Sequence, residues 1–314
     1  MKILYLDQNK WIELAQSVKS PEDYPEQHNV LARLVELANA GLVAIPLTST
    51  NLYETQKINI AERRTHLAWV QATLSQGLVF RGRHKRLEKE VTDILLSRQD
   101  AASSSEPLWF LSQNFIEATA DVGDPRLPVV SKIVLDAIHS NPPKYLFEYL
   151  TKMPEVTRAS AISIFSDGSK NLLREIEERR TRDAKVSLPL RRKLHSARLM
   201  INELDLILSI IRKAEIPNVD ETEILKKNAR RIINESPTYF IEREIGLRIE
   251  AQTRALEEND LRDMQAFCAV VAYADIIVAE NMFSNLAVQA GLQKRYKTHI
   301  TTSLLEIPAL MKLG

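Results

Sequence analysis

The sequence predicts an α/β protein: a parallel sheet flanked by helices and interrupted by a large all-α insertion. Short apolar strands alternate with amphipathic helices at both ends of the 314-residue chain, and the stretch between is helical almost throughout. Only 8 Gly occur among abundant Leu, Ile, Glu, Lys and Arg, so helices should outweigh strands.

Ile3 to Leu6 reads as a short buried strand, and Asp7, Gln8 and Asn9 follow it before a helix begins. The segment "NVLARLVELANAG" carries Val30, Leu31, Leu34, Val35 and Leu37 at helical spacing, with Gly41 as a fitting stop. "LVAIPL" (42–47) is a second strand ended by Pro46, and Thr48, Ser49 and Thr50 supply an N-cap for the helical stretch after it. "GLVF" offers a third strand. The last sixty residues resume the alternation: the apolar helix "DLRDMQAFCAVVAYA", the strand "DIIVAE" (275–280), the helix "NLAVQAGL" stopped by Gly291, and the strand "THITTSLLEI". Residues 1–84 and 255–314 are therefore expected to form one α/β domain, with 85–254 as a helical insertion.

The insertion is punctuated at "AASSSEP", "VGDPRLP", "SNPP", "FSDGS", "IPNVDE" and "ESP". Leu190, Leu194, Ala197, Ile201, Leu204, Leu208 and Ile211 fall at alternating spacings of four and three, the pattern of a coiled-coil seam. Packing within the chain is the expectation, and a homo-oligomer through the insertion is the alternative.

Composition narrows the function classes. The single cysteine, Cys268, excludes an intramolecular disulfide framework and a cysteine zinc site, and it reads as a buried apolar residue. No apolar run reaches membrane-spanning length and no basic leader precedes the first strand, so no membrane partner and a cytoplasmic location are expected. Glycines occur singly, which argues against a phosphate-cradling loop and an NTPase. Trp11, Trp69 and Trp109 are dispersed and read as core or interface. The six His are scattered without metal-ligand spacing. "RRKLH" (191–195) faintly resembles the Arg and His site of metal-free HEPN ribonucleases, but it is one residue short and His195 reads as surface.

A net charge of +1 gives no global field for nucleic acid, but the basic residues are unevenly placed. "RGRHKRLEK" (81–89) holds five Lys or Arg against one Glu, and Arg179 to Arg198 holds eight against one Asp. Arg81, Arg83, Lys85, Arg86, Arg191 and Arg192 are thus candidates to track a phosphate backbone.

Acidic residues recur where strands end or the following helices begin. Asp7 ends the first strand, Glu54 lies in the first turn after the second, Asp260 and Asp263 open the apolar helix, and Glu280 closes "DIIVA". That rim is where open α/β sheets bind ligands. Hard divalent cations prefer such oxygen ligands, and carboxylates gathered there would suit a metal-dependent phosphodiester hydrolase. Asp260 and Asp263 alone would be read as a helix-capping pair.

"YLDQN" before a helix, the acid in "STNLYE" and "NDLRDMQAFCAVVAYADIIVAENMF" together resemble a PIN domain, a metal-dependent nuclease fold. The resemblance covers residues 1–80 and 255–314. It implies Mg²⁺ or Mn²⁺ held by Asp7, Glu54, Asp263 and Glu280 as catalytic acids, with Asp260 and Asp275 as extra candidate ligands and Asn9 orienting Asp7 or a phosphate. The fourth motif departs from the family pattern: a small hydroxyl residue followed by Asp is replaced by Ala279, Glu280 and Asn281. The activity implied is an endoribonuclease, with RNA favoured over DNA, acting on structured RNA such as tRNA within a toxin or antiviral defence system. Such a chain needs restraint, which points to an inhibitor or a partner subunit. The alternatives are a DNA nuclease and a catalytically silent PIN-derived scaffold that binds a partner through its insertion.

Overall fold

Alternation along the first strand builds the sheet. In the computed structural model, which describes residues 1–96, 107–119, 130–214 and 220–311, β1 (Lys2–Leu6) is buried from Ile3 onward. The chain continues through α1 (Gln8–Lys19), α2 (Pro25–Asn39), β2 (Val43–Ala44), α3 (Ser49–Lys57), α4 (Ala61–Ser75), β3 (Val79–Phe80), α5 (Arg83–Leu96) and β4 (Leu111–Ser112). Helices α6 (Lys132–Ser140), α7 (Pro142–Lys152), α8 (Glu155–Arg182), α9 (Leu188–Asn202), α10 (Leu204–Lys213), α11 (Glu221–Glu235) and α12 (Pro237–Glu250) come next. The chain closes with α13 (Glu258–Val270), β5 (Ile276–Val278), α14 (Asn281–Gln289), α15 (Leu292–Tyr296), β6 (His299–Thr301) and α16 (Ile307–Leu310).

Four strands form a parallel sheet in the order β2-β1-β5-β6, flanked by helices, which makes the fold α/β. Leu4 pairs with Ile276 and Leu6 with Val278, and all four side chains enter one apolar cluster with Trp11, Leu14, Leu34 and Leu67. Ile3, Tyr5 and Ile277, offset by one residue, point to the other face and are equally buried. The order reverses at β1: the chain places β2 on one side of it and β5 on the other. In open α/β sheets that reversal opens a crevice at the carboxyl ends of the two strands.

The strands are shorter than the sequence suggests. "LVAIPL" contributes only Val43–Ala44 to the sheet, while Leu47 bridges Val79 beyond Pro46. "THITTSLLEI" is extended only over His299–Thr301, because the Ser303 hydroxyl caps a 3₁₀ turn at Leu304. "GLVF" pairs antiparallel with Leu111–Ser112 in a separate two-stranded ribbon. Gly77 must be glycine: its φ is +76° and an added Cβ would lie 2.5 Å from the Pro142 side chain.

The helical middle is not one block. The chain divides into two compact units, residues 1–82, 110–172 and 256–314 in the first and 83–109 with 173–255 in the second. Residues 110–172, expected in the insertion, therefore belong with the sheet: Leu146 and Leu150 of α7 join the same apolar cluster as Leu4. "FSDGS" lies inside α8 rather than breaking it, and Gly168 has open space around it. "SNPP" and "ESP" do separate helices, with Asn141 and Ser236 as N-caps followed by proline. "VGDPRLP" and most of "AASSSEP" and "IPNVDE" lie outside the described residues.

The predicted seam is corrected as well. A break at Glu203 separates α9 from α10. Ile201 is 72% exposed and Leu190 49%, whereas Ile207, Ile210 and Ile211 fill the second unit's core with Leu87, Val91 and Ile232. The buried stripe of α10 follows the ordinary helical period and shares only Ile211 with the predicted seam. Cys268 is buried and Trp11 lies in the core, but Trp69 is half exposed. No helix among the described residues is long and apolar enough to cross a membrane.

Candidate metal centre

Asp7 and Glu280 are placed by element boundaries, whereas Glu54 and Asp263 stand further along their helices, Glu54 beyond the first turn expected for it. Asp7 follows β1, where its backbone N–H donates to Val278 O at 2.9 Å and its Oδ1 accepts from the Gln8 N–H at 2.8 Å. It is the N-cap of α1 and 7% exposed. Glu54 projects from the middle of α3, Asp263 from the second turn of α13, and Glu280 is the N-cap residue of α14.

These acids act on one another. Burial pushes the Asp263 carboxyl up to about 8, and the charges of Asp7, Glu280 and Glu54 push in the same direction against the pull of Arg262. Burial also raises Asp7 to about 6, reinforced by Glu280 and Glu54 and opposed by its bond to Gln8 and by Lys10. Tyr5 on the strand below is driven upward by burial and then by the charges of Asp7 and Asp263. The four acids named from sequence are thus electrostatic neighbours, though they come from opposite ends of the chain.

Two of them are engaged elsewhere. The Asn9 Nδ2 donates to Glu280 Oε1 at 2.6 Å, so Asn9 orients Glu280 and not Asp7. Arg262 Nε lies 2.5 Å from Glu54 Oε1. Among the described residues, no group of three or more His, Cys, Asp or Glu side chains is arranged to hold a metal ion. The donor set itself fits a hard cation: it is all carboxylate, partly buried, and the acids repel each other until a positive charge arrives. Asp7 and Asp263 would hold such an ion, with Glu54 and Glu280 joining once released from Arg262 and Asn9.

The extra acids are not part of this rim. Asp260 closes a capping box with Glu257, accepting from its N–H at 2.9 Å, so the capping reading holds for Asp260 with Glu257 and not with Asp263. Asp275 stands at the amino end of β5, where Oδ2 accepts from the Ile3 N–H at 2.7 Å on the edge opposite Glu280.

The cations chosen from sequence are bound to the protein's own acceptors. In the first unit Arg81 pairs with Glu117 at 2.7 Å and donates to Leu111 O. In the second, Arg83 forks onto Glu242 at 2.7 and 2.8 Å and also meets Glu203. Lys85 pairs with Glu88, Arg86 is buried, and Arg191 donates to the carbonyls of Val186 and Ala184. Arg192 grips both oxygens of Glu244 at 3.1 Å. Acids far away in sequence, Glu117, Glu242, Glu203 and Glu244, offset the charge of Arg81, Arg83 and Arg192 within the runs that looked predominantly basic. His195 is buried too: its Nε2 lies 2.7 Å from Glu250, whose other oxygen meets Arg179. Burial would raise Glu250, but those two partners hold it below the ordinary carboxylate range.

Sequence reading missed the polar layer under the rim. Asn51 Nδ2 and Gln71 Nε2 donate to Gln8 Oε1, the Gln8 Nε2 donates to Thr55 Oγ1, and that hydroxyl donates to Gln71 Oε1. Asn51 Oδ1 accepts from both the N–H and the hydroxyl of Thr48. All five residues are buried, and the network ties α1 to α3 and α4, fixing the backbone on which Asp7 and Glu54 stand. The visible signal was polar residues at core-facing positions of these helices. Arg262 was also missed, because a lone Arg beside an acid gives no sign of burial.

No family model, curated protein or solved structure matches this chain.

Proposed function

We propose that the chain is a metal-dependent nuclease with a PIN-like α/β domain, cleaving phosphodiester bonds with Mg²⁺ or Mn²⁺. One observation carries the reading: Asp7 and Asp263 are brought to a common rim where burial and mutual repulsion raise both, with Glu54 and Glu280 adding to the repulsion. That arrangement opposes the metal-free state and favours a divalent cation. When bound, the ion supplies Lewis acidity for phosphodiester hydrolysis. The chain's own residues bind and orient: Asp7 and Asp263 give up their protons to become ligands, Asn9 turns Glu280, and Gln8 anchors the helix that carries Asp7. RNA is favoured over DNA on the resemblance alone, since Arg81, Arg83 and Arg192, expected to track a backbone, are paired with carboxylates and Arg191 with backbone carbonyls. A role in a toxin or defence system, and restraint by an inhibitor, rest on that same resemblance.

The ion pair of Glu54 and the hydrogen bond of Glu280 favour a second reading, a catalytically silent scaffold of the same fold. Incubating a mixed RNA and DNA pool with Mn²⁺ separates the two. The nuclease reading expects cleavage by the native chain and a loss of at least about a hundredfold in Asp7→Asn and Asp263→Asn, on the scale of removing a group that acts only in the transition state. Equal cleavage by all three proteins would sink it, and binding without cleavage would favour the scaffold.

A further inference from the structure

Arg262 is only 2% exposed, yet it stands beside the acidic rim. Its neighbour in sequence, Asp263, is turned about 100° around the helix, so Asp263 joins the rim while Arg262 faces α3. There Nε approaches Glu54 at 2.5 Å, Nη1 lies 3.5 Å from Glu258, and the guanidinium sits 5.6 Å from the Tyr53 ring centroid. Tyr53 is itself held by stacking on Phe165 at 4.1 Å, and the Arg262 carbonyl accepts from the Thr50 hydroxyl.

The grip is one of charge. Nε and Nη1 are buried without a well-directed hydrogen bond, although both contact carboxylate oxygens. A guanidinium held by attraction and by an aromatic face yields to a stronger point charge more readily than one locked in a bidentate fork. A divalent ion carries twice its charge and seeks the same Glu54 oxygen. Arg262 is the buried cation within contact of Glu54, and Glu258 is the acid that shares it.

We propose that Arg262 is a built-in counter-cation of the rim, competing with the divalent ion for Glu54 and setting how much metal the site requires. This rests on the reading of the rim as a cation site. Arg262 touches no reacting atom and is a positioning residue. Removing it has two effects. The metal-free fold loses a neutralising charge, while the bound ion loses a like-charged neighbour and gains the freed Glu54. Both tighten metal binding, which reads the difference between the two states.

The test is calorimetric titration of the full chain with MnCl₂, which reads affinity without turnover. Arg262→Gln keeps a donor for Glu54 but removes the charge, and it should bind Mn²⁺ at least about tenfold more tightly, a conservative fraction of the repulsion between like charges a few ångströms apart. Arg262→Lys keeps the charge and should stay within about threefold of the native value. Glu258→Gln, which leaves Glu54 as the remaining acid on Arg262, should bind more weakly by about threefold, and it serves if Arg262→Gln does not fold. Arg262→Gln binding no more tightly than the native chain, or Glu258→Gln binding more tightly, overturns the proposal. Binding by Arg262→Gln but not by the native chain supports it in its strongest form. Absence of binding in every variant overturns the cation-site reading itself, and the inference with it.

Discussion

Asp263 is a carboxyl group kept where its charge is penalised, and that sets how the metal-free protein responds to pH. Its folded value is about 8 against an ordinary 3.8, and Asp7 is raised to about 6. A carboxyl raised on folding binds its proton more tightly in the native state. The stability tied to that proton is complete below the unfolded pKa near 4 and is lost as pH rises through the folded values toward 8. In chelator, urea midpoints should therefore fall between pH 5 and pH 8. Asp263→Asn should remove most of that slope and stabilise the protein at pH 8 by on the order of a few kcal/mol. A native chain with a flat profile, or a variant with the same slope, would contradict the electrostatic account. At this scale sequence singled out Asp7 and Glu280 because they sit where strands end, and Glu54 and Asp263 because they ride on the helices that follow. It could not show their present partners, since Asn9 with Glu280 and Arg262 with Glu54 depend on side-chain rotamers that no spacing encodes.

At the scale of elements, helix positions were legible and strand lengths were not. Val30, Leu31 and Leu34 announce α2 by their period, and Thr48 announces the start of α3, where it forms a capping box with Asn51. β2 keeps two residues because Pro46 and the Thr48 cap end it early, and no apolar run reports where ladder pairing stops. The heptad reading failed on both sides of the break at Glu203: Leu190, Ala197 and Ile201 of α9 are exposed, and in α10 the buried face is Ile207, Ile210 and Ile211, of which Ile211 alone belongs to the seam. Asn51 gives this scale its prediction. It is fully buried, caps α3 through Thr48 and joins α3 to α1 through Gln8, so Asn51→Ala strips the buried Thr48 N–H and hydroxyl of their acceptor and removes one of two donors to Gln8 Oε1. The cost should be about 2 to 3 kcal/mol of unfolding free energy by urea titration. A loss below about 0.5 kcal/mol would mean that the network is not what holds the two helices.

Over the whole molecule, two compact units carry two separate apolar cores, one built on Leu4, Trp11 and Leu34 and the other on Leu87, Ile207 and Ile232. Sequence suggested a division but drew it at the change in pattern. The division follows packing: residues 110–172 read as helical insertion and nevertheless bury Leu146 and Leu150 against the sheet's cluster. Separate cores predict two unfolding steps in calorimetry. Mn²⁺ at a hundred times its dissociation constant should raise one of them, by about 2.7 kcal/mol of stabilisation, and leave the other in place. Asp7→Asn should abolish that response. A shift of both steps together, or of neither, would count against a cation site confined to the first unit.

The polar layer beneath the rim has a consequence for the order of events. Gln8, Thr48, Asn51, Thr55 and Gln71 are all uncharged, so nothing in that layer offsets the acids from behind. Once pH passes the folded value of Asp263 near 8 and both acids are ionised, the field of Asp7 and Asp263 is left to emerge on the open side, and a polyanion arriving first meets repulsion rather than a docking site. Under the nuclease reading, the cation must come before the nucleic acid, and the apparent affinity for substrate becomes a function of free divalent ion.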